Sequence, residues 1–351
     1  MRVVLISSGV LPCPTIGYGG LEQIVADLAI VLDRMGHEVW VVAPDESTIG
    51  EHGNIQLIGC GPCDNNAHAW EETAFQKYRP MMESEEFKDA IWHTHDWRKW
   101  AYRAKFDLPH VHVMGTLHGM LCYEKPPPFQ HPNLNGISRN HADGLSAGLG
   151  VPVRCVYNGI DLDKYKYGSK KGRTDRLLFL ARITSFKGAH VFPDLCKQLK
   201  ASGDLVGDDT IVESQELVER VIMQCNDYPD CRYWGGVSRE RTIEFFQSCK
   251  TYVLPLTPGW LEPFGLTIVE AGACGAPVVA TDSGSMPELI EDGVNGYVAK
   301  NLTHMKEILE NGCLDSISSQ DCRKMAKRFS RETMAEGYVA LYQEILETGG
   351  W

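Results

Sequence analysis

The segment from Val3 to Ala43 constrains the fold more than any other. Val3-Val4-Leu5-Ile6 is an unbroken apolar run, the pattern of a strand covered on both faces. A Gly/Pro-rich loop follows from Gly9 to Gly20, and then Leu21, Ile24, Val25, Leu28, Ala29, Val31 and Leu32 recur at helical spacing. Gly36 ends the helix, and Glu38-Val39-Trp40-Val41-Val42-Ala43 forms the next strand, closed by Pro44. A strand–loop–helix–strand unit of about 40 residues is a βαβ crossover, and it commits the sheet to parallel pairing.

The pattern continues through Ile91–His95 and Val111–His118. A second series starts at Arg176–Arg182 and runs through Arg232-Tyr233-Trp234, Thr251–Pro255 and Pro277–Ala280. The chain has 351 residues, which at ~150 residues per domain suggests two. Asn158-Gly159, with its turn chemistry, marks the junction. The expected architecture is α/β: two Rossmann-like parallel-sheet domains. One comprises residues 1–157, completed by 333–351, and the other residues 158–332. A closing helix over Ser330–Glu347, with Met334, Tyr338, Leu341 and Ile345 on one stripe, crosses back to the first domain.

Composition narrows the function. Apolar residues make up 43% and charged residues 23%, which excludes disorder. The net charge is -12. Residues 1–157 carry 12 basic and 18 acidic side chains and the rest 22 and 28, so each part nets -6. Such a surface does not hold nucleic acid by general electrostatics, so any phosphate must be held locally. Of the 12 cysteines, only Cys60 and Cys63 form a C-x-x-C. His52 and His68 complete a zinc set on paper, but two ordinary thiols are the simpler reading. The first residues show no apolar core or cleavage site of a signal peptide, and no run reaches the ~20 apolar residues of a membrane span. A cytoplasmic protein with reduced thiols is expected.

The chemistry concentrates in Glu262-Pro263-Phe264-Gly265-Leu266-Thr267-Ile268-Val269-Glu270. Phe264-Gly265-Leu266 opens a helix whose free N–H groups and positive dipole end suit a diphosphate. Glu270 lies too far into that helix to cap it, so its natural partner is a neutral hydroxyl such as a ribose diol. Glu262 precedes the helix and is expected to face the ligand. On their own, two such carboxylates are a solvated pair flanking a turn.

The surrounding residues decide. E-P-F-G-L-x-x-x-E, followed by A-x-x-C-G-A-P-V-V-A and a Pro-Glu, resembles the signature of retaining GT-B glycosyltransferases of glycosyltransferase family 4 (glycosyl transferases group 1). Gly17-Tyr18-Gly19-Gly20, His93-Thr94-His95-Asp96-Trp97, Asn158-Gly159-Ile160-Asp161, Ala181–Gly188 and Gly235-Gly236-Val237-Ser238 resemble further motifs of that family, in its order.

The resemblance implies a GT-B fold, two Rossmann-like domains facing a cleft. It implies transfer of a hexosyl group, from a UDP-sugar by preference, to a hydroxyl acceptor. Configuration would be retained through internal return, with the leaving phosphate as base and without an essential metal or other cofactor. Arg182 and Lys187 would hold the diphosphate with the Phe264, Gly265 and Leu266 amides, Glu270 the ribose, and Glu262 the sugar hydroxyls or the developing positive charge. Gly236 and Val237 would line the nucleotide site. Gly19 and Gly20 would let backbone approach the ligand. His118 would sit against the donor sugar, with His95 and Asp96 orienting each other or the acceptor. Asp161-Leu162-Asp163 imitates a metal-binding pair but follows a turn, and is read as structural.

Three departures are visible: Ser283-Gly284-Ser285-Met286-Pro287-Glu288 replaces a Gly-Gly-x-x-E, Ala181 replaces a glycine, and Gly207–Glu216 is polar where strand and loop belong. The basic–aromatic stretch Trp97–Lys105 is the candidate for a weak peripheral contact with a membrane or for contact with an anionic acceptor; otherwise it is an exposed helix with Trp97, Trp100 and Ala104 packed inward. The rivals to a transferase are a nucleotide-sugar 2-epimerase, which needs further acid/base groups, and a non-catalytic nucleotide-sugar binder.

Overall fold

The computed structural model describes residues 1–17, 19–97, 100–119, 130–207 and 213–351. Tyr18, Arg98, Lys99 and residues 208–212, which the sequence motifs above include, lie outside the described residues. The chain forms two compact units: Met1–Gly159 with Arg331–Trp351, and Ile160–Ser330.

Unit 1 holds a seven-stranded sheet of β1 (Arg2–Ile6), β2 (Glu38–Ala43), β3 (Gln56–Gly59), β4 (Ile91–Thr94), β5 (His112–Leu117), β6 (Leu134–Gly136) and β7 (Val153–Cys155), in the order β3-β2-β1-β4-β5-β6-β7. Unit 2 holds a six-stranded sheet of β8 (Leu177–Leu180), β9 (Gly203–Val206), β10 (Cys231–Tyr233), β11 (Thr251–Leu254), β12 (Val278–Thr281) and β13 (Gly296–Ala299), in the order β10-β9-β8-β11-β12-β13. Every pairing is parallel. Both orders reverse direction once, between β1 and β4 and between β8 and β11. In doubly wound sheets the loops that part at such a point leave a crevice for a ligand.

The first crossover forms as its pattern dictates. Val3, Val4, Leu5 and Ile6 are buried, and the Gly20–Arg34 helix buries Ile24, Val25, Leu28, Ala29, Val31 and Leu32. The same helix also buries Glu22, Gln23 and Asp27, which apolar periodicity does not reveal. An aromatic cluster fills the other side of this sheet: Tyr78 stacks on Trp92 at 5.7 Å and Phe75 on Trp100 at 5.4 Å.

The closing helix spans Arg331–Thr348 and belongs to unit 1. Its buried stripe is Met334, Ala335, Tyr338, Tyr342 and Ile345. Tyr342 takes the place expected for Leu341, because its hydroxyl has a partner to reach: it lies 2.6 Å from His93 Nδ1. His93 Nε2 meets Thr116 Oγ1 at 2.7 Å, Thr116 meets Tyr338 Oη at 3.1 Å, and Asn135 donates to Tyr338 Oη at 3.3 Å. A buried polar network thus ties the helix to β4, β5 and β6. Arg331, at the helix start, pairs with Asp27 at 3.1 Å, both side chains about 5% exposed or less. Gln23 donates to the other Asp27 oxygen at 3.0 Å.

The basic–aromatic stretch departs from expectation. Its helix is short, Trp100–Ala104, and Trp97 does not pack inward but is 46% exposed. Its backbone N–H is taken up by the Glu71 carboxylate at 2.8 Å.

Candidate functional site

In unit 2 the loops after β8 and β11 carry the residues singled out in the sequence. The two loops touch where Gly188, at φ +77°, brings its α-carbon against the Pro255 carbonyl; an added Cβ would lie 2.0 Å from that oxygen. Thr257 N–H donates to the Phe186 carbonyl at 3.0 Å. Phe186 stacks on Trp260 with centroids 4.1 Å apart, and the Arg182 guanidinium lies 5.9 Å from the Phe186 ring.

This scaffold brings Lys187 and Glu262 together. The Lys187 ammonium donates to Glu262 Oε2, and both side chains are largely buried. Trp260 Nε1–H donates to the same oxygen at 3.1 Å. Burial acts to raise the Glu262 carboxyl, but Lys187, Trp260 and Arg182 outweigh it and hold the group below its ordinary value. Glu262 itself is 7% exposed and paired with Lys187.

The serine departures have a structural explanation. Ser283 Oγ accepts from Glu262 N–H at 3.2 Å and donates to the Trp260 carbonyl. Ser285 Oγ donates to the Phe264 carbonyl at 2.7 Å, and its N–H reaches the Glu262 carbonyl at 3.0 Å. The segment stitches the carboxylate loop in place. Gly265 follows as the N-cap of the Leu266–Ala273 helix, at φ +81°, a conformation that favours glycine. Phe264 is buried and Leu266 half-buried at this helix start. Glu270, on the helix, accepts a hydrogen bond from the Tyr165 hydroxyl. Gly236 and Val237 follow β10 and precede the Arg239–Ser248 helix, capped by Ser238.

In unit 1 the corresponding loops follow β1 and β4. Gly19 caps the Gly20–Arg34 helix. His95, which follows β4, places Nδ1 2.9 Å from Nε2 of His118, which follows β5. Asp96 takes the hydroxyl of Thr94. His141 accepts from Ile137 N–H through Nδ1 at 3.2 Å, so its Nε2–H donates to the Gly119 carbonyl at 2.9 Å and anchors the chain beside His118. Ser8, just past β1, donates to Glu22. Burial raises the Glu22 carboxyl above its ordinary value, against the Ser8 hydroxyl and a backbone N–H that lower it.

Asp161 Oδ1 accepts from Asp163 N–H at 3.0 Å, closing a local turn. Cys60 and Cys63 carry thiols that burial, first of all, pushes up to about 11. Among the described residues, no three His, Cys, Asp or Glu side chains converge as a metal site, and no helix is long and apolar enough to cross a membrane.

Residues 163–332 match the family model for Glycosyl transferases group 1, and residues 18–164 match that for Glycosyltransferase Family 4. The chain is a group 1 glycosyltransferase by family. Its relatives include an uncharacterized glycosyltransferase of Methanocaldococcus jannaschii, 26% identical over 60% of this chain and 58% of the relative. A D-inositol 3-phosphate glycosyltransferase of Xylanimonas cellulosilytica is 24% identical over 85% of this chain and 84% of its own. For several of the curated relatives the match spans only 50–58% of the relative's own length. The structure of Anabaena HepE in complex with UDP and glucose superposes with a TM-score of 0.74 at 19% identity, covering 98% of this chain and 100% of that one. That likeness establishes the GT-B fold.

For this group 1 glycosyltransferase, sequence reasoning missed Trp260, Tyr165, Arg239 and Glu22. Trp260 sits two residues before Glu262 and was legible only as an aromatic in a loop. Tyr165 and Arg239 are distant in sequence from Glu270, and only the fold brings them to it.

Proposed function

We propose that the protein transfers a hexosyl group from a nucleoside-diphosphate sugar, a UDP-sugar by preference, to a hydroxyl acceptor, with retention of configuration and without an essential metal. The observation that carries this reading is the pairing of Lys187 with Glu262 at the unit 2 switch point, beside Arg182 and the Gly265-capped helix start. As the bond to the sugar breaks, negative charge develops on the diphosphate. Arg182, Lys187 and the helix N–H groups would stabilise it. Glu262, kept anionic by its neighbours, would hold Lys187 in position and, once the ammonium turns to phosphate, offer its oxygens to the sugar. Glu270 binds the ribose of the nucleotide, and Gly236 and Val237 line its base.

Unit 1 receives the acceptor near the Gly19-Gly20 loop, His95 and His118, with His118 set against the donor sugar. Glu262 and Glu270 lie on one loop–helix segment, so they do not offer the opposed acid and nucleophile of a two-carboxylate mechanism. Internal return, with the leaving phosphate as base, fits this arrangement. The deciding experiment follows consumption of UDP-, GDP- and ADP-sugars across an acceptor panel, with the product anomer read by NMR. Acceptor-dependent turnover that survives a chelator and retains configuration supports the proposal. Binding without turnover on every donor, or acceptor-independent epimerisation, overturns it.

A further inference from the structure

A second layer of residues lies behind Glu270. The turn that opens unit 2 is closed by Asp161, whose carbonyl accepts from Lys164 N–H at 3.1 Å. Arg323 pins the turn from below: Nη2 donates to the Leu162 carbonyl at 2.8 Å, and Nη1 to the carbonyls of Tyr165 and Ala273. Ala273 ends the helix that carries Glu270. The turn and that helix are therefore held by one guanidinium. Out of this turn Tyr165, 3% exposed, extends its hydroxyl to Glu270 Oε1. Arg239 Nη1, from the start of the helix after Gly236 and Val237, donates to the same hydroxyl at 2.9 Å.

Because the hydroxyl accepts from Arg239, its own proton is directed to the carboxylate. Donation from a cation polarises the O–H and strengthens the second bond. Burial, then the Glu270 charge, pushes the Tyr165 phenol well above its ordinary value, so it stays a donor. A half-buried glutamate on a helix otherwise samples several rotamers, and restricting it beforehand removes part of the ordering cost of binding.

We propose that Tyr165, gripped by Arg239, is a positioning residue that orients the Glu270 carboxylate toward a ribose hydroxyl and so sets the preference for ribonucleotides over deoxyribonucleotides. This rests on the assignment of Glu270 to ribose made above. The hydroxyl lies within the Asn158–Tyr165 segment that also marks the domain junction, so one turn serves both connection and recognition.

The test is calorimetric titration with UDP, GDP and ADP, followed by the 2′-deoxy form of whichever binds tightest. Wild-type protein should prefer the ribonucleotide, and Glu270→Gln should lose that preference. Tyr165→Phe should reduce the ribo-to-deoxy ratio about three- to tenfold, the size of one buried hydrogen bond, while binding of the deoxy form changes little. A general packing defect would weaken both forms together. Arg239→Met leaves the phenol in place, should fold whether or not Tyr165→Phe does, and should lower the ratio in the same direction by less. An unchanged ratio in Tyr165→Phe and Arg239→Met, or an equal loss for both nucleotides, overturns the positioning role if Glu270→Gln still abolishes the preference. A preference that survives Glu270→Gln overturns the ribose assignment beneath it.

Discussion

Both sheets reverse strand order at one point, but the loops there carry opposite electrostatics. At the unit 2 reversal, Lys187, Arg182 and Trp260 hold the buried Glu262 carboxyl below its ordinary value. At the unit 1 reversal, burial lifts Glu22 above it against the Ser8 hydroxyl, and the loops after β4 and β5 bring the His95 and His118 imidazoles together. Unit 1 also has a buried ion pair, Asp27–Arg331, but it joins two helices and not the loops past β1 and β4. The same topology thus places a Lys–Glu ion pair at one reversal and buried hydroxyl, imidazole and carboxyl groups at the other. The chain's acidic balance sharpens the point, since an anionic ligand must be held by a few placed cations.

The largest expected effect separates the two ion pairs. Arg331→Met leaves the buried Asp27 without its cation, which should cost about 3–5 kcal/mol of unfolding free energy in urea denaturation. Nucleotide affinity of the folded protein should not change. Asp27→Leu combined with Arg331→Met should recover much of the loss. A variant that keeps its stability but loses nucleotide binding would break the contrast.

That ion pair also shows what the sequence conceals. The βαβ start, the closing helix and the Lys187–Glu262–Glu270 segment were legible, because apolar periodicity and local motif spacing carry them. Asp27 and Glu22 were not, since a charged residue on an otherwise apolar helix face looks exposed until its partner arrives from elsewhere in the chain. β9 was hidden for the same reason: Gly203-Asp204-Leu205-Val206 is fully buried. Asp204 is tolerated there because Arg176 grips it at 2.7 and 2.9 Å and Trp234 donates at 2.8 Å. The backbone at Trp97 is likewise tied to a distant residue, Glu71.

Next in size is Lys187→Ala. Removing one group that meets developing charge typically costs about 100- to 1000-fold in turnover, and that loss is expected in a donor-consumption assay. Full activity would show that the pair is only structural.

A smaller pair of effects reads the two carboxylates by pH. Glu262 lies below its ordinary 4.5, so its stabilising contribution is present above that value and is lost as pH falls through the folded value. Glu22 lies above 4.5, so its contribution is present below that value and is lost as pH rises through the folded value. Glu262→Gln should therefore lower Tm at neutral pH and matter less in acid. Glu22→Gln should leave Tm unchanged or raise it at neutral pH and lower it in acid. Parallel pH profiles for the two variants would contradict the opposite shifts. The smallest effect is Tyr342→Phe, which removes one bond to His93 and should cost about 1 kcal/mol by urea denaturation.

The central claim is that unit 2 alone holds the diphosphate. Amide hydrogen exchange, measured with and without the tightest-binding of UDP, GDP and ADP, tests it most directly. The expected result is slowed exchange at 181–188 and 255–270, with 7–20 and 95–97 little changed. Protection concentrated in the unit 1 segments, with 181–188 and 255–270 unaltered, would contradict it.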